Sequence, residues 1–529
     1  MNTFTLKRKE ILTGTLVVCI LCSPMLVSAQ STGFSISPIV KRGDPIGDEG
    51  RFFDCDGCEG RVVGLHAFNN KGDATIGADT SGSCFEGRFL VSGGSIIRLA
   101  DFCQQTPWGK FGILGSVNIN QQSQAAMLVA VPVDGRLDAA LFLYGGGQHL
   151  KIVQEHDPSP VGGMFKGCGF GQPAINNNGE VAFFACGEKD GFFFGDGVFK
   201  YSGGQISKVV VSEDPSPIGG TFALNFIPAQ AVQMNDRGDV LFQAGVILSL
   251  FEKERFGLFL KTSEGFKKIE VDGDSIPGGA IKENTFANGD LNNIGEVSFS
   301  AVMTGGQADS GIFINSRGQI NKIMAQGDPT PIGGKFGSLI DPELRESFPT
   351  PRINDNGTIA FKARVEGGSG QSAIFLASPR AMVKAVAVGD QLPTGETIRV
   401  IDTLTLNDLG QVAFFAYGKK DKTKPLGVYV ATPLAPSIMS IKLKHKNGGF
   451  QLRVNGKAMI TNDTVIEING VRLDAIDYPS DFRENGGFTA RVVSRDPRLD
   501  QLLQPGQTVQ VTVFNSLTNL RSNPALLTR

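Results

Sequence analysis

The sequence predicts an all-β protein, a seven-bladed β-propeller followed by a β-sandwich, and three observations predict it. One phrase returns seven times along the 529 residues, its clearest copy being Ile175-Asn176-Asn177-Asn178-Gly179-Glu180-Val181-Ala182-Phe183, nearly duplicated from Ile353 to Phe361 and from Leu406 to Phe414. A second landmark keeps step with it: Gly43-Asp44-Pro45, Asp157-Pro158-Ser159-Pro160, Asp214-Pro215-Ser216-Pro217, Asp274, Gly327-Asp328-Pro329 and Gly389-Asp390. The segments after each phrase are apolar at consecutive positions, as a strand buried on both faces requires.

The aligned asparagines are Asn69, Asn120, Asn176, Asn235, Asn292, Asn354 and Asn407, separated by 51, 56, 59, 57, 62 and 53 residues. Such a spacing suits one four-stranded blade with roomy loops. In the third repeat the strands are expected at Gly169 to Ile175, Glu180 to Cys186, Gly197 to Tyr201 and Gln205 to Val211. The phrase itself is turn chemistry: Asn holds its own backbone through an Asx hydrogen bond, and the Gly three places later accepts a positive φ. An EF-hand does not fit, because acidic and amide positions do not alternate as its loop demands. The phenylalanines of the following strand, such as Phe183 and Phe414, are expected in the core.

Closure is expected at the termini. The last repeat supplies three strands, Thr397 to Leu406, Gln411 to Tyr417 and Gly427 to Ala431, and then stops. Phe34 to Val40, placed before Gly43-Asp44-Pro45 as Gln205 to Val210 is before Asp214-Pro215, would supply the fourth and leave no exposed edge.

Lys7-Arg8-Lys9, an apolar run from Ile11 to Leu26 and Val27-Ser28-Ala29 read as a secretory signal peptide cleaved after Ala29. The expected layout is therefore signal peptide 1–29, propeller 30–432 and a second domain 433–529, in a secreted, periplasmic or cell-surface protein without stable membrane insertion. The 50 basic and 52 acidic residues become 47 and 51 after cleavage, a formal charge of about −4, which offers no electrostatic footprint for nucleic acid. Six of the eight cysteines remain, and an even number in an exported chain favours disulfides over metal ligands. Cys168 and Cys186 flank the Asn176 to Gly179 turn and are the best single pair. Cys55, Cys58, Cys84 and Cys103 allow three pairings, and no βαβ pattern surrounds Cys55-x-x-Cys58 to make it a redox motif.

After Ala431-Thr432-Pro433-Leu434-Ala435-Pro436, apolar strands are expected at Ile438 to Leu443, Phe450 to Val454, Thr464 to Ile468, Val471 to Ile476, Phe488 to Val493 and Val509 to Phe514, with Asn469-Gly470 turning a hairpin. Gln451 to Gly456, Thr464 to Gly470, Val509 to Asn515 and Ser522-Asn523 resemble the immunoglobulin-like IPT/TIG modules of bacterial surface proteins. This chain departs from them at Lys457 to Asn462 and in an insertion around Tyr478 to Asn485. The resemblance implies an immunoglobulin-like spacer or adhesive unit without catalytic residues. The sevenfold phrase and its Asp-Pro partner likewise resemble tandem repeats in exported bacterial proteins of unassigned activity, over about residues 34 to 431, which implies an architecture and no substrate.

Asp44, Asp157, Asp214, Asp274, Asp328 and Asp390, with Asp101 in the divergent second blade, would recur around one loop face. They either form an acidic ring that binds a cation, a basic peptide or a sugar, or each caps its own turn. Symmetry breaks in the first two blades, where His66 and the only tryptophan, Trp108, lie; Trp108 either stacks on a ligand or fills core. The four histidines, His66, His149, His156 and His445, show no metal-ligand spacing, and no Gly-x-Ser-x-Gly elbow is present. No cofactor, metal or catalytic residue is therefore expected. The function expected is that of a monomeric exported binding protein presenting a loop face to a protein or glycan. The alternative is a carbohydrate-active enzyme with paired carboxylates near the axis.

Overall fold

The computed structural model describes residues 33–529 apart from 47–49, 54–63, 82–85, 104, 190–191, 194–195, 225–231, 250–252, 284, 286–287, 341–349, 369–370, 421, 447–448 and 484–485. The segment 1–29 read as a signal peptide, and Cys55, Cys58 and Cys84, lie outside the described residues. The fold is nearly all β, with one four-residue α-helix at Leu499–Leu502 and one short 3₁₀ turn at Ser480–Phe482 among the described residues.

Each repeat forms one antiparallel sheet. In the third, Met164–Phe170 and Ala174–Ile175 pair with Val181–Lys189, which pairs with Gly197–Ser202, which pairs with Gln205–Val211. The turn between the first two strands forms as its residues dictate: Asn176 Oδ1 accepts the N–H groups of Asn178 and Glu180 at 3.0 Å each, and Gly179 sits at φ 74°. Val181 to Cys186 are all buried, with Phe183 edge-on to Phe165 and beside Phe199. These rings are core, as their consecutive spacing implied.

Among the described residues, seven buried clusters join the sheets in succession. Leu90 and Phe142 share one across the first and second repeats, and Leu141 and Phe183 share the next. The series ends where Phe415 and Val428 of the last repeat pack with Ile76 and Phe89 of the first. The N-terminal strand Phe34–Lys41 pairs antiparallel with Pro425–Pro433, Phe34 opposite Pro433, and completes the last repeat's sheet. Its role as the missing strand was legible in the sequence.

The C-terminal residues form two facing sheets. One holds Ser437–Lys446, Gly449–Ile460, Phe488–Ser494 and Ile476–Asp477; the other holds Val471–Arg472, Thr464–Ile468, Thr508–Asn515, Leu520–Arg521 and Ala525–Thr528. Leu452, Val492, Ile466 and Val511 fill the space between them. The single strand expected from Val471 to Ile476 is instead two short ones in different sheets. The chain crosses between sheets at Leu473 to Ala475, with Ala475 at φ 52°, and buries Leu473 in the process.

This domain does not hang from a free linker. Ile460, Phe488 and Leu517 enter the same buried cluster as Phe34, Val383 and Phe414, and Phe488 meets Phe34 edge-on at 6.3 Å. Gly486 clamps two repeats: its carbonyl accepts the Lys384 N–H at 3.0 Å and its N–H donates to Pro331 O at 3.1 Å. The insertion that set this domain apart from the IPT/TIG pattern therefore leads into the docking contact. No helix among the described residues is long and apolar enough to cross a membrane.

Candidate functional site

The seven phrase asparagines are 2–4% exposed and meet around one axis. Each side-chain Nδ2 donates to the backbone carbonyl of the asparagine one repeat on: Asn69 to Asn120, Asn120 to Asn176, Asn176 to Asn235, Asn235 to Asn292, Asn292 to Asn354, and Asn354 to Asn407, at 3.0–3.2 Å. Asn407 returns to Asn69 at 3.1 Å and closes the circuit. A second circuit lies beside it. The backbone N–H groups of Asn70, Gln121, Asn177, Asp236, Asn293, Asp355 and Asp408 each donate to the side-chain oxygen of the next member, at 2.7–2.9 Å, and Asp408 returns to Asn70. Asp236, Asp355 and Asp408 are satisfied by neighbouring amides, Asn293 Nδ2 alone bonding both Asp236 and Asp355 at 2.9 Å. The seven residues of the second circuit line a cavity of about 170 Å³.

A larger cavity of about 540 Å³ runs along the same axis. Strand alternation accounts for two of its layers, the residues two and four before each ring asparagine. The residue immediately before each ring asparagine, Phe68, Ile119, Ile175, Met234, Leu291, Ile353 or Leu406, is apolar in every repeat, and all seven line both cavities as a collar between them. The residue two before the ring asparagine also faces the larger cavity in every repeat, but there the repeats diverge: Ala67, Asn118, Ala174, Gln233, Asp290, Arg352 and Thr405. The next layer, four before, contributes Leu65, Ser116, Gln172, Asn288, Thr350 and Thr403. Hydroxyls and amides dominate these two layers, with one pair of opposed charges among the described lining residues.

That pair is Asp290 and Arg352, from adjacent repeats, 3.9 Å apart. Asp290 Oδ2 also accepts the Ile353 N–H at 3.0 Å. Burial pushes the Asp290 carboxyl above the ordinary range, against the pull of the Arg352 guanidinium. Across the cavity, burial and then the Arg88 charge hold the His66 imidazole down to about 3, so it is neutral at ordinary pH. Its Nε2 is shielded from solvent without a hydrogen-bond partner. Arg88 is fully engaged, donating to Gly115 O at 2.8 Å, Leu114 O at 2.5 Å and Glu86 at 2.7 Å.

The aspartates of the second landmark stay at their own turns. Asp44, Asp157, Asp214, Asp274, Asp328 and Asp390 each accept, through Oδ2, the N–H three residues earlier at 2.8–3.0 Å. Lysines stand beside them: Lys208, Lys268 and Lys322 lie 2.9 Å from Asp214, Asp274 and Asp328, and Lys384 lies 3.0 Å from Asp390. Asp101 is likewise bonded by Arg98 at 2.6 Å and the Cys103 N–H at 2.8 Å. Their geometry is that of turn caps, and none lines the axial cavity. Trp108 is half-buried against Phe142, ring centroids 4.8 Å apart, within the cluster joining the first two repeats. The packed reading of Trp108 is the one its surroundings match.

Cys186 is buried in the cluster that joins the third and fourth repeats. The side chain of Cys168 lies outside the described residues, but its strand pairs with that of Cys186, the registers Phe165 with Gly187 and Phe170 with Ala185 bracketing the two positions. Among the described residues no group of three His, Cys, Asp or Glu side chains could hold a metal ion.

Sequence reasoning missed the axial residues because it followed what repeats. One signal was available: an amide or carboxylate follows every ring asparagine, and only a structural demand keeps such a side chain at all seven positions.

Successive sheets about a common axis, with a cavity along it, define a β-propeller-like protein. The chain belongs to a family of unknown function, DUF7453, whose model matches residues 27–367 and 341–446. No curated protein matches it. Among solved structures, the β-propeller domain of the Trilobed protease from Pyrococcus furiosus aligns over 66% of this chain and 92% of its own, at 10% identity and a TM-score of 0.37. The polysaccharide lyase Uly1 aligns over 74% and 98%, at 8% identity and 0.36. TolB from Acinetobacter baumannii aligns over 59% of this chain at 11% identity and 0.30, and the chain spans 60% of TolB's length. These likenesses are too distant to carry an argument about activity.

Proposed function

We propose that this chain is an exported binding protein, a closed seven-bladed β-propeller whose axial cavity takes a small glycan, with an immunoglobulin-like domain fixed against its rim. The observation that carries this is the position two residues before each ring asparagine. The scaffold repeats on either side of it, while its chemistry changes from blade to blade and faces one shared cavity. A volume of about 540 Å³ falls within the usual range for small-ligand sites. Its amides and hydroxyls, among them Asn118, Gln233 and Thr405, suit a hydroxyl-rich ligand better than an apolar one. Export through residues 1–29, a Cys168–Cys186 disulfide and a monomeric state belong to the same proposal.

The paired-carboxylate enzyme fits less well. Asp290 is the only carboxylate among the described residues lining the large cavity, whereas acid–base cleavage of a glycosidic bond ordinarily employs two. Calorimetric titration of residues 30–529 with oligosaccharide and peptide panels tests the reading. Saturable binding of an oligosaccharide, weakened at least fivefold by Gln233→Ala and by Asp290→Asn, is expected. Binding of peptides alone, or oligosaccharide binding indifferent to both substitutions, would overturn it.

A further inference from the structure

A third cavity, of about 480 Å³, lies where the C-terminal domain meets the fifth and sixth repeats, away from the axis. Its walls come from three places: the Pro329-Thr330-Pro331 turn, the Ser378 to Met382 hairpin, and Thr461, Asn462, Arg483 and Phe488 of the C-terminal domain. The Gly486 clamp and the Phe488 contact fix these walls relative to one another. The cavity exists only because the domain is docked.

Its chemistry is one-sided. Arg380 and Arg483 line it from opposite domains, both are exposed, and no carboxylate is among the described lining residues. Neither guanidinium makes a hydrogen bond or ion pair with a described residue. Asp463, whose carboxyl senses Arg380, is already bonded to the Leu517 N–H at 2.9 Å. Beside the arginines, Thr461 Oγ1 is shielded from solvent with no hydrogen-bond partner. Two cations with free donor forks and an unsatisfied hydroxyl in one preformed cleft form a site for an oxyanion, since guanidinium groups match planar and tetrahedral oxyanions in bidentate fashion.

We propose that this interdomain cleft binds a small molecule through an oxyanion group, carboxylate, sulfate or phosphate, with Arg380 and Arg483 as its recognition pair and Thr461 as a further hydrogen-bonding group. The site is separate from the axial cavity and stands or falls independently of it.

Calorimetric titration of residues 30–529 with acetate, inorganic sulfate, inorganic phosphate and neutral acetamide distinguishes the sources of the anion. At least one anion is expected to bind saturably, more weakly as salt rises, and acetamide is not. Both arginines are exposed, so R380A/R483A should fold, and it should lose at least tenfold in affinity. Thr461→Val should weaken binding without changing its salt dependence. Absence of saturable binding by all three anions, equal binding of acetamide, or undiminished affinity in R380A/R483A would each overturn the proposal.

Discussion

The side-chain amide of Asn407 donates to the backbone carbonyl of Asn69, 3.1 Å away in space and 338 positions away in sequence. That bond completes a circuit which six shorter-range bonds begin. The same side chain also holds Gln411 Oε1 at 2.8 Å and accepts the N–H groups of Leu409 and Gln411 at 3.1 and 3.0 Å.

Asn407→Ala therefore strands several buried groups at once. Each unsatisfied buried donor or acceptor costs roughly 1–3 kcal/mol, so a loss of about 3 kcal/mol is expected in urea unfolding at neutral pH. Asn70→Ala, which removes only the side-chain bonds to Asp408 in the half-buried second circuit, should cost clearly less.

The strand Phe34–Lys41 holds the last sheet together from the other end of the chain. Phe34 is 4% exposed and packs on Phe488, so Phe34→Ala should cost about 3–5 kcal/mol. Removing Phe34 to Val40 should lower the melting temperature sharply; a thermal melt that did not move would refute closure by this strand.

Glu270 is buried in the outer strand of the fourth repeat, and burial, reinforced by Asp272 and Asp274, raises its carboxyl to about 8. A carboxyl with a raised folded value contributes most stability below its unfolded value of about 4.5 and loses it as pH climbs through 8. Glu270→Gln keeps an acceptor for the Leu258 N–H, which lies 3.1 Å from Glu270 Oε1, and cannot ionise. Unfolding free energies measured from pH 4 to 9 should show the variant gaining on the wild type between about 4.5 and 8 and holding a constant advantage above that.

Gly487 adopts φ 91°, and a Cβ there would strike the Met382 carbonyl. Gly487→Ala should destabilise by more than about 1 kcal/mol and loosen the C-terminal domain from the sixth repeat. Scanning calorimetry should then resolve two transitions where the wild type gives one.

Local chemistry was the legible part of this fold. The Asx turn needs only residues Asn176 to Glu180, so its sequence announces it, and the consecutive apolar residues from Val181 announce a strand covered on both faces. The missing strand at Phe34 was legible because its neighbours copy those of Gln205. The Nδ2 circuit was not, since nothing within one repeat reveals how near the next repeat's carbonyl stands. Val471 to Ile476 looked like one strand because pattern does not record a change of sheet at Leu473 to Ala475. Asp290 and Arg352 were hidden for a different reason: a reading that aligns copies discards the columns that disagree.

Those columns have a consequence of their own. Along each inner strand the ring asparagine and the residue that faces the axial cavity are only two apart, yet they serve different tasks. A single codon change at Ala67 or Gln233 can thus alter the chemistry of the axial cavity while every Asn-to-Asn bond survives. The axis behaves as a seven-letter word, here Ala-Asn-Ala-Gln-Asp-Arg-Thr, written on a chassis that stays the same when the word is respelled.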